Sequence, residues 1–388
     1  MRSGSVGIGE QGGAVSDADL ELARDLLVEA ISIPSPSGGE GRIVAWLEDW
    51  ASGLGLTTRR VPAEIGRDSL VVGGAQAPTL AIVAHLDTIT PTWPDATTAR
   101  VEGSTVAGLG AVDDKGGVVA CMLAARRLVE AGVDLDQLPV VFAFAVDEES
   151  GGSGSRALAF DLRPRFAIAL EGTELRPGTV ECGNMEALLH VRGVAAHGSL
   201  VELGQNAVHT AAELIAELPS LGLEADVHPL LGAADASVGE IATGEGMNIV
   251  PDLCTMRLRV RLVPGQELAD VVARVEALAG RFDAEVQMVE GTAAFELPES
   301  SPLRHGVDAA VRAVLGEATD PIGIPAWTDA HNFVDFGGSE AMVFGPGSIA
   351  TAHTPAERID VTEVVRCAEV FVQLLSGSSL AALAGATG

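Results

Sequence analysis

His85 and Asp87 close an apolar run, Ala81-Ile-Val-Ala-His85-Leu-Asp87. Residues two apart on a strand face the same side, so this carboxylate can reach the ring nitrogen that a metal leaves free and fix its tautomer. A surface pair at a strand end is the other reading of the same three residues. Next comes Gly108-Leu-Gly110-Ala-Val-Asp113-Asp114-Lys115-Gly116-Gly117, a glycine-rich turn with two adjacent carboxylates before a helical pattern. A dinucleotide fingerprint would need a third glycine where Asp113 stands, and a pyrophosphate would be repelled there. Asp113 suits a metal instead, although an ordinary capped helix after a loop has the same appearance.

Val146-Asp147-Glu148-Glu149 follows another apolar run. Adjacent glutamates at a strand's end point in different directions, so one can bind a metal while its neighbour acts as general base. An exposed, solvated Glu-Glu pair is the alternative. Glu171 closes Phe166 to Leu170 in the same way, and His353 follows the Gly345-Pro-Gly347 turn in Ile349-Ala-Thr-Ala-His353-Thr-Pro-Ala-Glu357. His85, Asp113, Glu149, Glu171 and His353 all fall at strand ends or tight turns, where ligand sites of α/β sheets lie. Mixed imidazole and carboxylate ligands with one bridging carboxylate are what a paired zinc or cobalt site needs.

The elements that must position these residues alternate. Apolar runs at 80–84, 139–146 and 166–170 have the length of buried strands, and the spacing over 117–130 predicts a helix between the first two. Strand, helix, strand is the pattern of an α/β fold with helices covering a sheet. Ser16 and Asp19 predict a capped first helix, with residues 1–15 a disordered leader. From about residue 180 the texture changes. Alternation in 187–191 predicts an edge-type strand, 206–218 a helix, 255–262 an alternating strand with Arg257, Arg259 and Arg261 outward, and 266–278 a second helix. This stretch, 181–295, is expected as an α+β domain inserted into a larger one built from 16–180 and 296–378.

At 388 residues, 47% of them hydrophobic, the chain can bury a sizeable core, and its length favours two or three domains. Lys and Arg number 24 against 54 Asp and Glu, a net charge of −30. That argues against a nucleic-acid or anionic-membrane partner, since both need a positive surface. The four cysteines stand far apart with no C-x-x-C pair, so a reducing cytoplasm is expected. Neither a signal peptide nor a membrane span is expected.

Taken together, these motifs resemble the M20 metallopeptidases and amidohydrolases, which include acetylornithine deacetylases, succinyl-diaminopimelate desuccinylases, aminoacylases and glutamate carboxypeptidases. The resemblance runs from Ile33-Pro-Ser-Pro-Ser-Gly to the closing helix. It implies a zinc-peptidase-like α/β catalytic domain with an inserted α+β lid and dimerisation domain. It further implies two divalent ions, Zn2+ or Co2+, one held by His85 and Glu171 and the other by Glu149 and His353, with Asp113 bridging. Asp87 would orient His85, Glu148 would be the general base, and Asp114 would be structural. Gly193-Val-Ala-Ala-His197-Gly-Ser is similar to the family's lid motif, whose His stabilises the oxyanion in the partner subunit's site. Val201 replaces the family's Pro nearby.

Gly246-Met-Asn248 and Arg261 match the family's substrate-binding Asn and Arg. A guanidinium suits a bidentate hold on a carboxylate, while an outward-facing structural arginine is the other reading. His190, His209, His228, His305 and His331 match no ligand position. The implied reaction is hydrolysis of the amide of an N-acyl amino acid or short peptide by a homodimer. The Gly345 to Glu357 segment looks most like the acetylornithine deacetylases, and the acidic surface would attract a cationic substrate. Desuccinylases, carboxypeptidases and dipeptidases share the catalytic set, and a catalytically silent homologue is the reading from another class.

Overall fold

The computed structural model describes residues 15–376 other than 65, 245 and 247, together with 380, 383 and 385. The expected leader lies outside these residues apart from Val15. The described residues form two compact units: one runs to Thr179 and resumes with Leu297–Ile322 and from Thr328, and the other comprises Val180–Glu296 with Gly323–Trp327.

In chain order the first unit begins with α1 (Asp17–Ser32), α2 (Gly41–Gly53), β1 (Thr58–Glu64), β2 (Arg67–Val72), β3 (Leu80–His85), α3 (Lys115–Glu130), β4 (Val140–Ala145), α4 (Ser153–Leu162) and β5 (Phe166–Ala169). The second holds β6 (Gly183–Arg192), α5 (Ala207–Glu217), β7 (Asp235–Thr243), β8 (Leu253–Leu262), α6 (Leu268–Gly280) and β9 (Ala284–Thr292). The chain then returns to the first unit through α7 (Pro302–Leu315), β10 (Glu340–Val343) and α8 (Val361–Leu375).

The part of the first unit's sheet that carries the site runs β1-β2-β4-β3-β5-β10. Strands β4, β3, β5 and β10 are mutually parallel, and β1 and β2 are antiparallel additions at one edge. Every residue of β3, β4 and β5 is buried, as expected where helices cover a parallel sheet. Helices α1, α3 and α8 pack on one another, α3 also meets β3, and α4 lies on β1, β2 and β4. Each large aliphatic side chain buried in such a core contributes about 1.5–3 kcal/mol. The sequence pattern of α1 holds in detail, since the Ser16 hydroxyl accepts a hydrogen bond from the Asp19 amide at 3.1 Å.

Register brings the carboxyl ends of these strands level. His85 pairs with Ala145, so Glu148 and Glu149 emerge just beyond the end of β3. Val83 pairs with Ala169, which sets Glu171, two residues on, beside His85.

The second unit is a four-stranded antiparallel sheet, β7-β8-β6-β9, with α5 and α6 on one face. Its core gathers Ala187, Leu189 and Val191 with Met256, Leu258, Val260, Val271 and Val275. The segment 187–191 therefore lies in an inner strand, not at an edge. Its alternation arises because an antiparallel sheet covered by helices on one face leaves the other face polar, whatever the strand's place in the order. No helix among the described residues is long and apolar enough to cross a membrane.

Candidate metal centre

His85 is the last residue of β3, and its side chain is 1% exposed. Its Nδ1 lies 3.1 Å from the Asp87 carbonyl oxygen and 3.5 Å from Asp87 Oδ1. Both acceptors favour a proton on Nδ1, which leaves Nε2 to point at the site. The Asp87 carboxylate has other work besides. It accepts the amides of Glu148 at 3.0 Å and Glu149 at 3.1 Å, and the Ser37 hydroxyl at 2.7 Å. One aspartate thus sets both the imidazole and the turn bearing the two glutamates.

Asp113 stands in the turn before α3, and the Asp113–Asp114 peptide bond is cis. Asp113 Oδ1 lies 2.8 Å from His85 Nε2, and Oδ2 lies 3.1 Å from His353 Nε2. Its two oxygens therefore face two different imidazoles. Around the first gather His85, Asp113 and Glu171, with Glu171 Oε1 3.8 Å from His85 Nε2. Around the second gather Asp113, Glu149 and His353, with Glu149 Oε1 3.0 Å from His353 Nε2. Within each group the donor atoms all lie within 4.8 Å of one another, close enough to share one cation. Asp114 turns inward, where its Oδ2 accepts the His85 amide at 3.2 Å.

The electrostatics of the cluster call for positive charge. Burial, and then the neighbouring Asp113 carboxylate, drives the Glu171 carboxyl well above the usual range. Desolvation, reinforced by Asp329, Asp113 and Glu149, does the same to Glu148. Burial works against protonation of His85, yet the bonds to Asp113 and Asp87 hold its pKa well above the ordinary value. Hydrogen bonds to Asp113 and Glu149 raise His353 to about 10. Carboxylates crowded on two imidazoles are held apart from mutual repulsion by cations, and mixed N and O donors around a shared aspartate suit divalent transition ions. The residues present fit a dinuclear centre.

The model of peptidase family M20/M25/M40 matches residues 81–377. The chain belongs to this family. It is accordingly an M20 metallopeptidase or amidohydrolase. An acetylornithine deacetylase of Myxococcus xanthus is 29% identical over 323 residues, covering 78% of this chain and 81% of that protein. The aminopeptidase PepT of Bacillus cereus shares the fold with a TM-score of 0.77 at 20% identity, over 93% of this chain and 99% of that one. A dinuclear metal-binding M20 peptidase of Bacillus subtilis superposes with a TM-score of 0.68 at 16% identity, over 93% of this chain and 98% of the other.

The remaining predicted site residues lie in the second unit. His197 and Asn248 are neighbours, because Ala196–His197 pairs with Ile249–Val250 and the Gly198 amide donates to the Asn248 carbonyl at 2.7 Å. His197 is exposed, with Nδ1 2.8 Å from the Ser199 hydroxyl. Arg261 is not free: its Nη2 meets Asp235 Oδ2 at 2.6 Å and donates to the Ala233 carbonyl at 2.9 Å. Of the unassigned histidines, His190 lies between Thr255 and Gln287, and His331 is fully buried.

Several supporting residues escaped the sequence reading. Arg67 bridges Glu40 at 2.8 Å and Asp147 at 2.6 Å, and Asp147 also accepts from the Ser150 and Ser153 hydroxyls, bracing the turn ahead of Glu148. Burial lifts the Asp329 carboxyl to about 6, and its charge acts on Glu148. Ser37 lies in a recognisable Pro-Ser-Pro-Ser turn, but only the folded chain shows that it serves Asp87.

Proposed function

We propose that this enzyme hydrolyses the amide bond of an N-acyl amino acid with two bound divalent cations, zinc or cobalt, most nearly in the manner of an acetylornithine deacetylase. The observation that carries the reading is Asp113, whose two oxygens face separate ligand groups. His85 and Glu171 would hold one ion, Glu149 and His353 the other, and Asp113 both. When bound, the ions lower the pKa of water and polarise the scissile carbonyl. Glu148 takes a proton from the attacking water and returns it to the leaving amine, a role that a desolvated carboxyl of raised pKa suits. Asp87 orients His85.

His197 we assign to the tetrahedral oxyanion, acting from a partner subunit in a homodimer, and Asn248 and Arg261 to the substrate. Arg261 would exchange Asp235 for the substrate's carboxylate. On this reading residues 16–180 and 296–378 form the catalytic domain and 181–295 the lid and dimerisation domain, in a cytoplasmic protein. The net charge of −30 favours a cationic side chain such as ornithine's, and the deacetylase relative supports the acetyl group.

A short-peptide substrate is the second reading, favoured by the fold shared with an aminopeptidase. Hydrolysis assays across N-acetylornithine, N-succinyl-diaminopimelate, neutral N-acyl amino acids and dipeptides, with and without chelator, separate the two. Chelator-sensitive cleavage led by N-acetylornithine is the expected result. A dipeptide-led profile would transfer the assignment to a peptidase, and no cleavage of any amide would refute both.

A further inference from the structure

Glu357 carries a carboxylate into the interior four residues after His353, and it is 1% exposed. Its Oε1 accepts the amide of Val112 at 3.0 Å and that of Asp113 itself at 3.3 Å. Its backbone carbonyl accepts the Gly108 amide at 3.1 Å, and the next residues, Arg358 and Ile359, pair with Ala107 and Val106. Its Oε2 is buried, with no hydrogen-bond partner among the described residues. Burial pulls the Lys115 amine, which donates to the Ile33 carbonyl at 2.9 Å, down to about 7, and the Glu357 carboxylate opposes that shift.

A buried carboxylate is an expensive way to join two loops if joining is all that is required. This one joins the loop bearing Asp113 to the loop bearing His353, and those are two of the three members of the second ligand group. His353 needs such support more than the other ligands do. It sits at φ +61°, a strained conformation for a non-glycine residue, and its side chain is 46% exposed.

We propose that Glu357 is the positioning residue of the second ligand group: by accepting the Asp113 amide it fixes the distance between Asp113 and His353, and so sets the affinity for the second cation. The inference rests on the reading that both groups hold cations. Its chemistry asks only for an acceptor at the position of Oε1, so glutamine can replace glutamate, whereas aspartate is too short and alanine offers nothing.

The test is titration of the metal-free protein with zinc and, separately, cobalt, by calorimetry and by the cobalt absorption spectrum. Wild type, Glu357→Gln, Glu357→Ala and Glu357→Asp are compared, with circular dichroism to verify folding. Wild type should take two ions. Glu357→Ala should take the first with unchanged affinity and the second about 10–100-fold more weakly, the range seen when a group supporting a ligand is lost. Glu357→Gln should recover most of that loss, and Glu357→Asp, which keeps the charge, should not; it carries the test if the alanine variant does not fold. Unchanged binding in Ala and Asp, equal weakening of both ions, or a Gln variant as weak as Ala would each overturn the proposal. A wild-type protein that takes fewer than two ions would instead defeat the proposed function and this inference with it.

Discussion

The two ligand groups share Asp113 but are built from different material. His85 ends a strand buried on every residue, and Glu171 comes two residues after another, so the first group inherits its geometry from strand register. Glu149 and His353 stand on turns, partly exposed, and are held by side chains: Asp87 on the Glu149 amide, Arg67 and two serines on Asp147, and Glu357 on the Asp113 loop. A sheet fixes donors through many backbone bonds at once, whereas a turn relies on one or two contacts that a single substitution removes. The first group should therefore resist perturbation of its surroundings and the second should not.

The largest effect expected spares both groups. Glu148→Gln should lower kcat by roughly 10²–10⁴-fold while metal analysis still finds the wild-type ion content. Loss of an ion in that variant would make Glu148 a ligand and redraw the comparison.

Replacing the two histidines addresses the contrast itself. His85→Ala removes a buried partner of Asp113 and should destabilise the metal-free protein by about 3–5 kcal/mol in denaturant unfolding. His353→Ala removes a half-exposed partner and should cost no more than about 1 kcal/mol, although it too loses an ion. Equal costs would mean that the loops are as rigid as the strands.

Gly345→Ala attacks the first group through the backbone. An added Cβ would stand 2.5 Å from the Glu171 carbonyl oxygen, which cannot yield as a side chain end could. We expect a stability loss of about 1–3 kcal/mol and weakened binding of the first ion in calorimetry, with the second less affected.

The smallest effect belongs to Ser37→Ala. It deletes one hydrogen bond to Asp87, the residue that serves both groups, and should cost about 0.5–1.5 kcal/mol in thermal unfolding with both ions retained. A larger loss confined to one ion would show that Asp87 is committed to that side.

Much of this was legible in the chain. Apolar runs of strand length, each ending in His, Glu-Glu or Glu, mark the ends of β3, β4 and β5, because fully buried parallel strands are written as unbroken apolar segments. The helices α3, α5 and α6 follow from spacing in the same way. The strand at 187–191 shows where such reading stops, since alternation reports which faces are covered and carries no information about neighbours. Arg261 shows the same limit: three alternating arginines announce an outward face, but only the paired strand reveals that Asp235 meets the last of them.

By itself the sequence determined which chemistry is possible: imidazoles and carboxylates at strand ends, a glycine-rich turn too acidic for a nucleotide, and a membership in family M20/M25/M40 that its motifs carry. How those groups divide around Asp113 was implied by the family resemblance, and the tertiary structure alone decided the contacts that hold them in place. That Asp113 splits its oxygens, that Asp87 holds the glutamate turn, and that Glu357 reaches back 245 residues to the Val112 amide depend on contacts between segments far apart in the chain. Local periodicity encodes which way a side chain faces its own element. Which distant backbone it meets is settled only when strands pair and loops pack.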